Sequence, residues 1–92
     1  VAGFEKLFAR LTSLTELDVT SCPYVHRITS VPPLLSTLIL DGTKTSNESL
    51  FHLRLPPLKR IGLRGCHRIS GSGIANLTSK QTDLEYLNIS GT

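Results

Sequence analysis

The chain has no methionine and no tryptophan, only five aromatic residues and only two cysteines among 92 residues. Two cysteines exclude a disulfide-stapled miniprotein. No apolar run approaches the roughly 18 residues that a bilayer crossing requires, so no membrane-spanning segment is expected. No charged segment followed by an apolar stretch opens the chain as a secretory signal would. The missing initiating methionine reads as a processed chain or a piece of a longer one. Acidic residues are absent between Ser49 and Thr82, a stretch carrying Arg54, Lys59, Arg60, Arg64, Arg68 and Lys80 with His52 and His67. What remains is ordinary for a single globular domain. Hydrophobic residues make up 39% and charged residues 18%, which excludes a disordered tail. The enriched residues are leucine, at 16, with 10 serines and 10 threonines.

The leucines are not scattered. Leu14-x-x-Leu17-x-Val19, Leu35-x-x-Leu38-x-Leu40, Leu58-x-x-Ile61-x-Leu63 and Leu84-x-x-Leu87-x-Ile89 share one spacing, with first leucines 21, 23 and 26 residues apart. Three residues beyond each frame stands a small residue able to hydrogen-bond: Cys22, Thr43, Cys66 or Thr92. Gly3-Phe4-x-x-Leu7 precedes Leu14 by the interval at which Gly73-Ile74-x-x-Leu77 precedes Leu84. Alternation within each frame suits a short strand, but one such strand cannot bury its apolar side alone. Stacked as parallel strands, the copies would bury Leu17, Val19, Leu38, Leu40, Ile61, Leu63, Leu87 and Ile89 in one core. Return paths of roughly 15 residues leave room for the crossovers that parallel strands need.

The frame L-x-x-L-x-L-x-x-[C/N/T] resembles the leucine-rich repeat. Cys22-Pro-Tyr-Val and Cys66-His-Arg-Ile69-Ser-Gly-Ser-Gly-Ile74 are similar to its cysteine-containing subclass, found in F-box adaptors. The resemblance implies one α/β domain over residues 1–92, a horseshoe segment of a solenoid with about four repeats. It implies a short parallel sheet on the concave face, with strands near 15–20, 36–41, 59–64 and 85–90, and short helices or extended arches on the convex face. Both ends read as cuts within a longer array, since solenoids carry polar terminal caps.

The return paths differ in sequence. Thr45-Ser-Asn-Glu48 reads as a capping box before Leu50 and Leu53, with Pro56-Pro57 stopping that helix. Gly71-Ser72-Gly73 opens a second helix, with Ser72 as its cap and Ile74 and Leu77 inward. Phe4, Leu7, Phe8 and Leu11 form the inner face of an N-terminal helix. The path from Cys22 to Pro33, with Pro23, Pro32 and Pro33, reads as non-helical.

Outward strand positions define the candidate binding face. The partner-binding residues are Glu16, Asp18, Ile39, Asp41, Arg60, Arg64, Tyr86 and Asn88, running from acidic through an exposed isoleucine to basic. Arg and Tyr are favoured at interface hot spots, and Ile39 would supply an apolar anchor. The opposing reading is a solvated surface with Asp41 paired to Arg64. A protein partner, acidic where it meets the third repeat, is expected. RNA is the weaker alternative, because base stacking wants aromatics and only Tyr86 is near the cations.

Chemistry finds little footing. Cys22 and Cys66 should lie about 9–10 Å apart, two strand spacings, beyond the reach of a disulfide, so both are expected free. Cys22-x-x-x-His26 and Cys66-His67 match no common zinc spacing. Glu16 and Asp18 face open solvent with no apolar pocket to separate their pKa values. No cofactor, metal or small-molecule substrate is expected, and no enzyme. All three asparagines, Asn47, Asn76 and Asn88, stand in glycosylation sequons, while free cysteines point to a reducing compartment; an intracellular protein is the expectation. The functional expectation is a non-catalytic protein-interaction module, with the resemblance implying substrate recognition for a ubiquitin ligase. The alternatives are a structural subunit of a larger assembly and RNA association through the basic repeat.

Overall fold

The computed structural model describes residues 6–8 and 10–92. Phe4 of the expected N-terminal helix lies outside the described residues. Four short strands, β1 (Glu16–Asp18), β2 (Thr37–Ile39), β3 (Arg60–Gly62) and β4 (Tyr86–Asn88), form one open parallel sheet in sequence order. The chain is thus a small α/β domain. Between strands it returns through a 3-10 turn (Val25–Arg27), helix α1 (Asn47–His52) and helix α2 (Gly71–Lys80).

The register follows the leucine frame: Leu17 pairs with Leu38, Leu38 with Ile61, and Ile61 with Leu87. The strands are shorter than the six residues expected for each, yet ladder bonding continues past them. Ser36 N–H donates to Thr15 O (2.7 Å), Val19 N–H to Ile39 O (2.9 Å) and Ser21 N–H to Asp41 O (2.8 Å). Regular strand geometry stops because the backbone enters a turn. That turn recurs in every copy: Cys22, Thr43, Cys66 and Thr92 each donate N–H to the last apolar residue of their frame. The residue just before each of them has positive φ: Ser21 (58°), Gly42 (68°), Gly65 (73°) and Gly91 (74°).

Three of the four copies place glycine at this position, where an L side chain is strained. A Cβ on Gly65 would meet nothing closer than 3.8 Å, so the backbone angle alone sets the cost of substitution. Gly65→Ala should therefore lose about 1–2 kcal/mol, read as a lower urea midpoint with unchanged slope.

The small residues closing the two inner turns satisfy polar groups inside the stack. Thr43 Oγ1 donates to Leu40 O (2.7 Å), and Cys66 Sγ reaches back one strand to the same carbonyl (3.2 Å). Both cysteines are free thiols; Cys66 is buried and Cys22 half-buried.

The core lies between the sheet and the return segments. Leu35, Leu38, Leu40, Leu58, Ile61 and Leu63 are essentially inaccessible, joined by Val25, Ile28, Leu50, Ile69 and Leu77. The outer strands do not bury what the frame promises. Leu17 and Leu87 are only partly buried, and Ile89 is 40% exposed. The reason is one-sided packing: β1 and β4 each have a strand neighbour on one side only. Leu7, expected inward, is 51% exposed, whereas Phe8 is buried and Leu11 half-buried.

The caps shift by a residue or two from their expected places. Ser46, not Thr45, caps α1, accepting from Ser49 N–H at 3.2 Å. Thr45 is instead buried, its hydroxyl 2.7 Å from that of Thr43. Helix α1 ends at His52, ahead of the Pro56-Pro57 pair. Ser70, not Ser72, precedes α2 as its cap residue. Ser70 N–H donates to Asn47 Oδ1 (3.0 Å), and Asn47 Nδ2 donates to Ser70 Oγ (2.8 Å) and Ser72 Oγ (3.3 Å). One asparagine thereby ties the start of α1 to the start of α2. The first return path, expected to be non-helical, contains the short 3-10 turn, placed just after Pro23 and ahead of Pro32.

Gln81 was not singled out by its sequence position. It is buried where α2 ends, with Oε1 accepting from Leu58 N–H (2.8 Å) and Nε2 donating to Pro56 O (3.2 Å). Its amide satisfies backbone groups of the proline-containing segment that follows α1.

Candidate functional site

Residues flanking the inward leucines face away from the core. The register aligns Glu16, Thr37, Arg60 and Tyr86 in one row, and Asp18, Ile39, Gly62 and Asn88 in the next. Beyond them, backbone pairing carries Asp41 beside Ser21, and Gly42 beside Arg64. Six of the eight sequence-nominated residues thus share two rows across adjacent strands, which lie about 4.8 Å apart, and Asp41 and Arg64 continue the pattern in the turns after β2 and β3. The face grades from carboxylates on β1 to guanidinium groups at β3.

Several of these residues are already engaged. Asp18 Oδ1 accepts from both the N–H and the hydroxyl of Thr20. Those bonds hold the Asp18 carboxyl below its ordinary pKa, by the side-chain bond first and the backbone bond second. Asn88 makes the matching turn on β4, accepting from Ser90 N–H at 3.0 Å. Asp41 does pair with Arg64, but through the backbone: its Oδ1 accepts the Arg64 N–H at 3.0 Å. The Arg64 side chain, which is exposed, is not what that carboxylate was recruited to hold in place.

Ile39 is not the exposed anchor that the sequence suggests. It is half-buried, and the cause is the neighbouring strand. A Cβ on Gly62 would stand 3.0 Å from Ile39 Cδ1, 3.2 Å from its Cγ2 and 2.7 Å from Asp41 Oδ1. Ile39 and Asp41 therefore lean into the space that the missing side chain leaves, and Gly62 is buried beneath them. The prominent apolar surface belongs instead to Tyr86, which is 50% exposed, with the Arg60 guanidinium over its ring at 5.9 Å. Such an arginine–tyrosine stack, partly preorganised at the surface, can receive a carboxylate on one side and apolar contact on the other.

The acid-free stretch does not form one basic surface. Arg60 and Arg64 belong to the sheet face, whereas Arg68 pairs by its backbone with Ser46 on the return side, and Arg54 with Ser30. Cys66 is buried while adjacent His67 is exposed, so the two side chains do not work together. Among the described residues no group of three or more His, Cys, Asp or Glu side chains could hold a metal ion. No helix among them is long and apolar enough to cross a membrane. Of the three sequon asparagines, Asn47 engages both its side-chain nitrogen and oxygen in the bonds described above, and Asn88 its oxygen.

Compared with known proteins, the chain matches no family model, and neither a curated protein nor a solved structure gives a significant match.

Proposed function

We propose that this chain is a non-catalytic protein-interaction module of the leucine-rich-repeat type, binding a protein partner through its open sheet face. The observation that carries the reading is the in-register row of outward side chains around the Arg60–Tyr86 stack. Support for a solenoid segment comes from the fourfold recurrence of one turn, with positive φ at Ser21, Gly42, Gly65 and Gly91. In that reading the sheet face is the concave wall of a horseshoe, the surface such arrays use for binding. The partner would bring carboxylates to Arg60 and Arg64 and an apolar group to Tyr86. A role as the substrate-recognition part of a ubiquitin-ligase adaptor rests on the resemblance of the cysteine-bearing repeats.

The test is affinity capture from cell extract with three forms of the chain: wild type, Arg60→Glu/Arg64→Glu, and Lys80→Glu on α2 as a control. Proteins held by the wild type should fall roughly tenfold or more with the sheet-face variant, the scale of losing a hot-spot contact, and remain with the control. Retention of the same proteins by both variants would remove the sheet face from the reading.

A structural subunit is the second reading, favoured by Ile89. This residue holds an inward position of the frame yet remains 40% exposed just past β4, an apolar edge that packing against another surface would cover. RNA association draws less support, because Arg68 and Arg54 lie on the return side, away from Arg60, Arg64 and Tyr86.

A further inference from the structure

Away from the sheet, three successive return segments line an open groove of about 420 Å³, within the size range of small-ligand sites. Its lining includes His26 and Arg27 from the 3-10 turn, Ser46, Glu48 and His52 from α1 and its cap, and Arg68 from the following segment. These residues lie far apart in sequence. The stacking that pairs Ser46 with Arg68 brings two of the segments together.

Two features set this groove apart from an ordinary polar surface. The first is charge: Glu48 is the one carboxylate in a lining that holds two guanidinium groups and two imidazoles. The second is an unmet polar atom. His26 Nδ1 is buried without a hydrogen-bond partner, a condition that native interiors rarely leave unexplained. Burial, and then the charges of Arg27, Lys44 and Arg68, hold the His26 imidazole below its ordinary pKa. The fold therefore keeps several cations close to a ring that cannot easily join them. An anion would relieve that repulsion. One arginine is also partly positioned in advance: the Arg27 guanidinium lies over the Tyr24 ring at 5.1 Å.

We propose that this groove binds a small phosphate monoester, with Arg27 and Arg68 taking the phosphoryl oxygens and the imidazoles of His26 and His52 beside them. A guanidinium offers paired N–H donors that match phosphate oxygens, and two of them suit a dianion better than a single carboxylate. The groove is larger than a bare phosphate needs, so the esterified group would share it, against Ser46 and the stem of Glu48. This site is separate from the sheet face and does not depend on the reading given for that face.

The test is a titration of the whole chain followed by NMR of the histidine rings, with inorganic phosphate and O-phosphoserine as probes. Serine and sodium chloride at matched ionic strength are the controls. Saturable shifts at His26 and His52 are expected with both phosphate probes and not with the controls. Binding should raise the His26 pKa, since a bound anion favours the imidazolium over the neutral ring against Arg27, Lys44 and Arg68, with Glu48 already present. Arg68→Gln and Arg27→Gln should each weaken binding roughly tenfold. Glu48→Gln should strengthen it, and Arg60→Gln on the sheet face should leave it unchanged. Shifts that merely follow ionic strength, or persist undiminished in both arginine variants while their amide spectra remain folded, would overturn the proposal. Should one arginine variant unfold, the other, with Glu48→Gln, decides it. Saturation by phosphate without O-phosphoserine binding would reject the ester and leave a site for free phosphate alone.

Discussion

Leu38→Ala is expected to cost about 3–4 kcal/mol, while the same change at Leu17 costs about 1–2 kcal/mol. Both leucines hold the same place in the frame and differ only in position within the stack. Leu38 is 0% exposed, with Leu17 on one side and Ile61 on the other in register. Backbone ladders fix both neighbouring strands, so the cavity left by truncation cannot close, and the lost transfer energy is joined by a cavity term. Leu17 is half-buried on the outer strand and leaves a dent open to water. A domain of this size has about 5–15 kcal/mol of stability in total, so the inner substitution should remove a large share of it. Guanidinium unfolding of the two variants provides the check. Equal losses would contradict the one-sided packing of β1.

Gly73→Ala is the second large effect, and its sign runs against helix propensity. Alanine is favoured over glycine inside a helix by about 1 kcal/mol, and Gly73 lies within α2. A Cβ there would overlap Asn47 Oδ1 and come within 2.8 Å of Asn47 Cγ and 3.3 Å of its Cα. The asparagine can move aside only by giving up its bonds to Ser70 and Ser72. Losing that link and spreading the two helices should cost about 3 kcal/mol, leaving a net loss of about 2 kcal/mol. A double-mutant cycle isolates the cause. On an Asn47→Ala background, Gly73→Ala should lose most of its cost, because the Oδ1 and Cγ contacts have gone and only the close approach to the Cα of residue 47 remains. If it remains equally harmful there, the close approach to Asn47 is not the reason.

Sequence periodicity made the sheet legible, because the same leucine spacing repeated four times leaves parallel stacking as the way to bury Leu38 and Ile61 together. It also marked the recurring small residue at Cys22, Thr43, Cys66 and Thr92, though not that Ser21 would share the positive φ of three glycines in the turn just before it. The candidate face was legible as a set of outward positions but not as a surface. Whether Ile39 protrudes depends on what the next strand offers, and the next strand offers Gly62. Nor could spacing tell that Asp41 takes a backbone N–H of Arg64 rather than its guanidinium. The caps were misplaced for a related reason. Thr45, Ser46, Ser70 and Ser72 are all competent caps by residue type, and the choice among them is made by packing: Thr45 is drawn inward by Thr43, and Asn47 selects Ser70. Gln81 gave no local signal, since its partners, Leu58 and Pro56, belong to the previous return path. The groove of His26, Arg27, His52 and Arg68 was equally hidden, because only stacking brings those segments side by side.

Since every described strand is hydrogen-bonded only to those next to it in sequence, the outer strands can open locally below the global unfolding transition. Protection of backbone amides against solvent deuterium should then be graded from the middle outward. Leu38 and Ile61 would exchange last, and Leu17 and Leu87 would exchange early through partial peeling that leaves the centre intact. A partner gripping the face across all four strands would do more than bind. It would splice the loose outer turns to the firm inner ones and make the whole chain exchange as one unit.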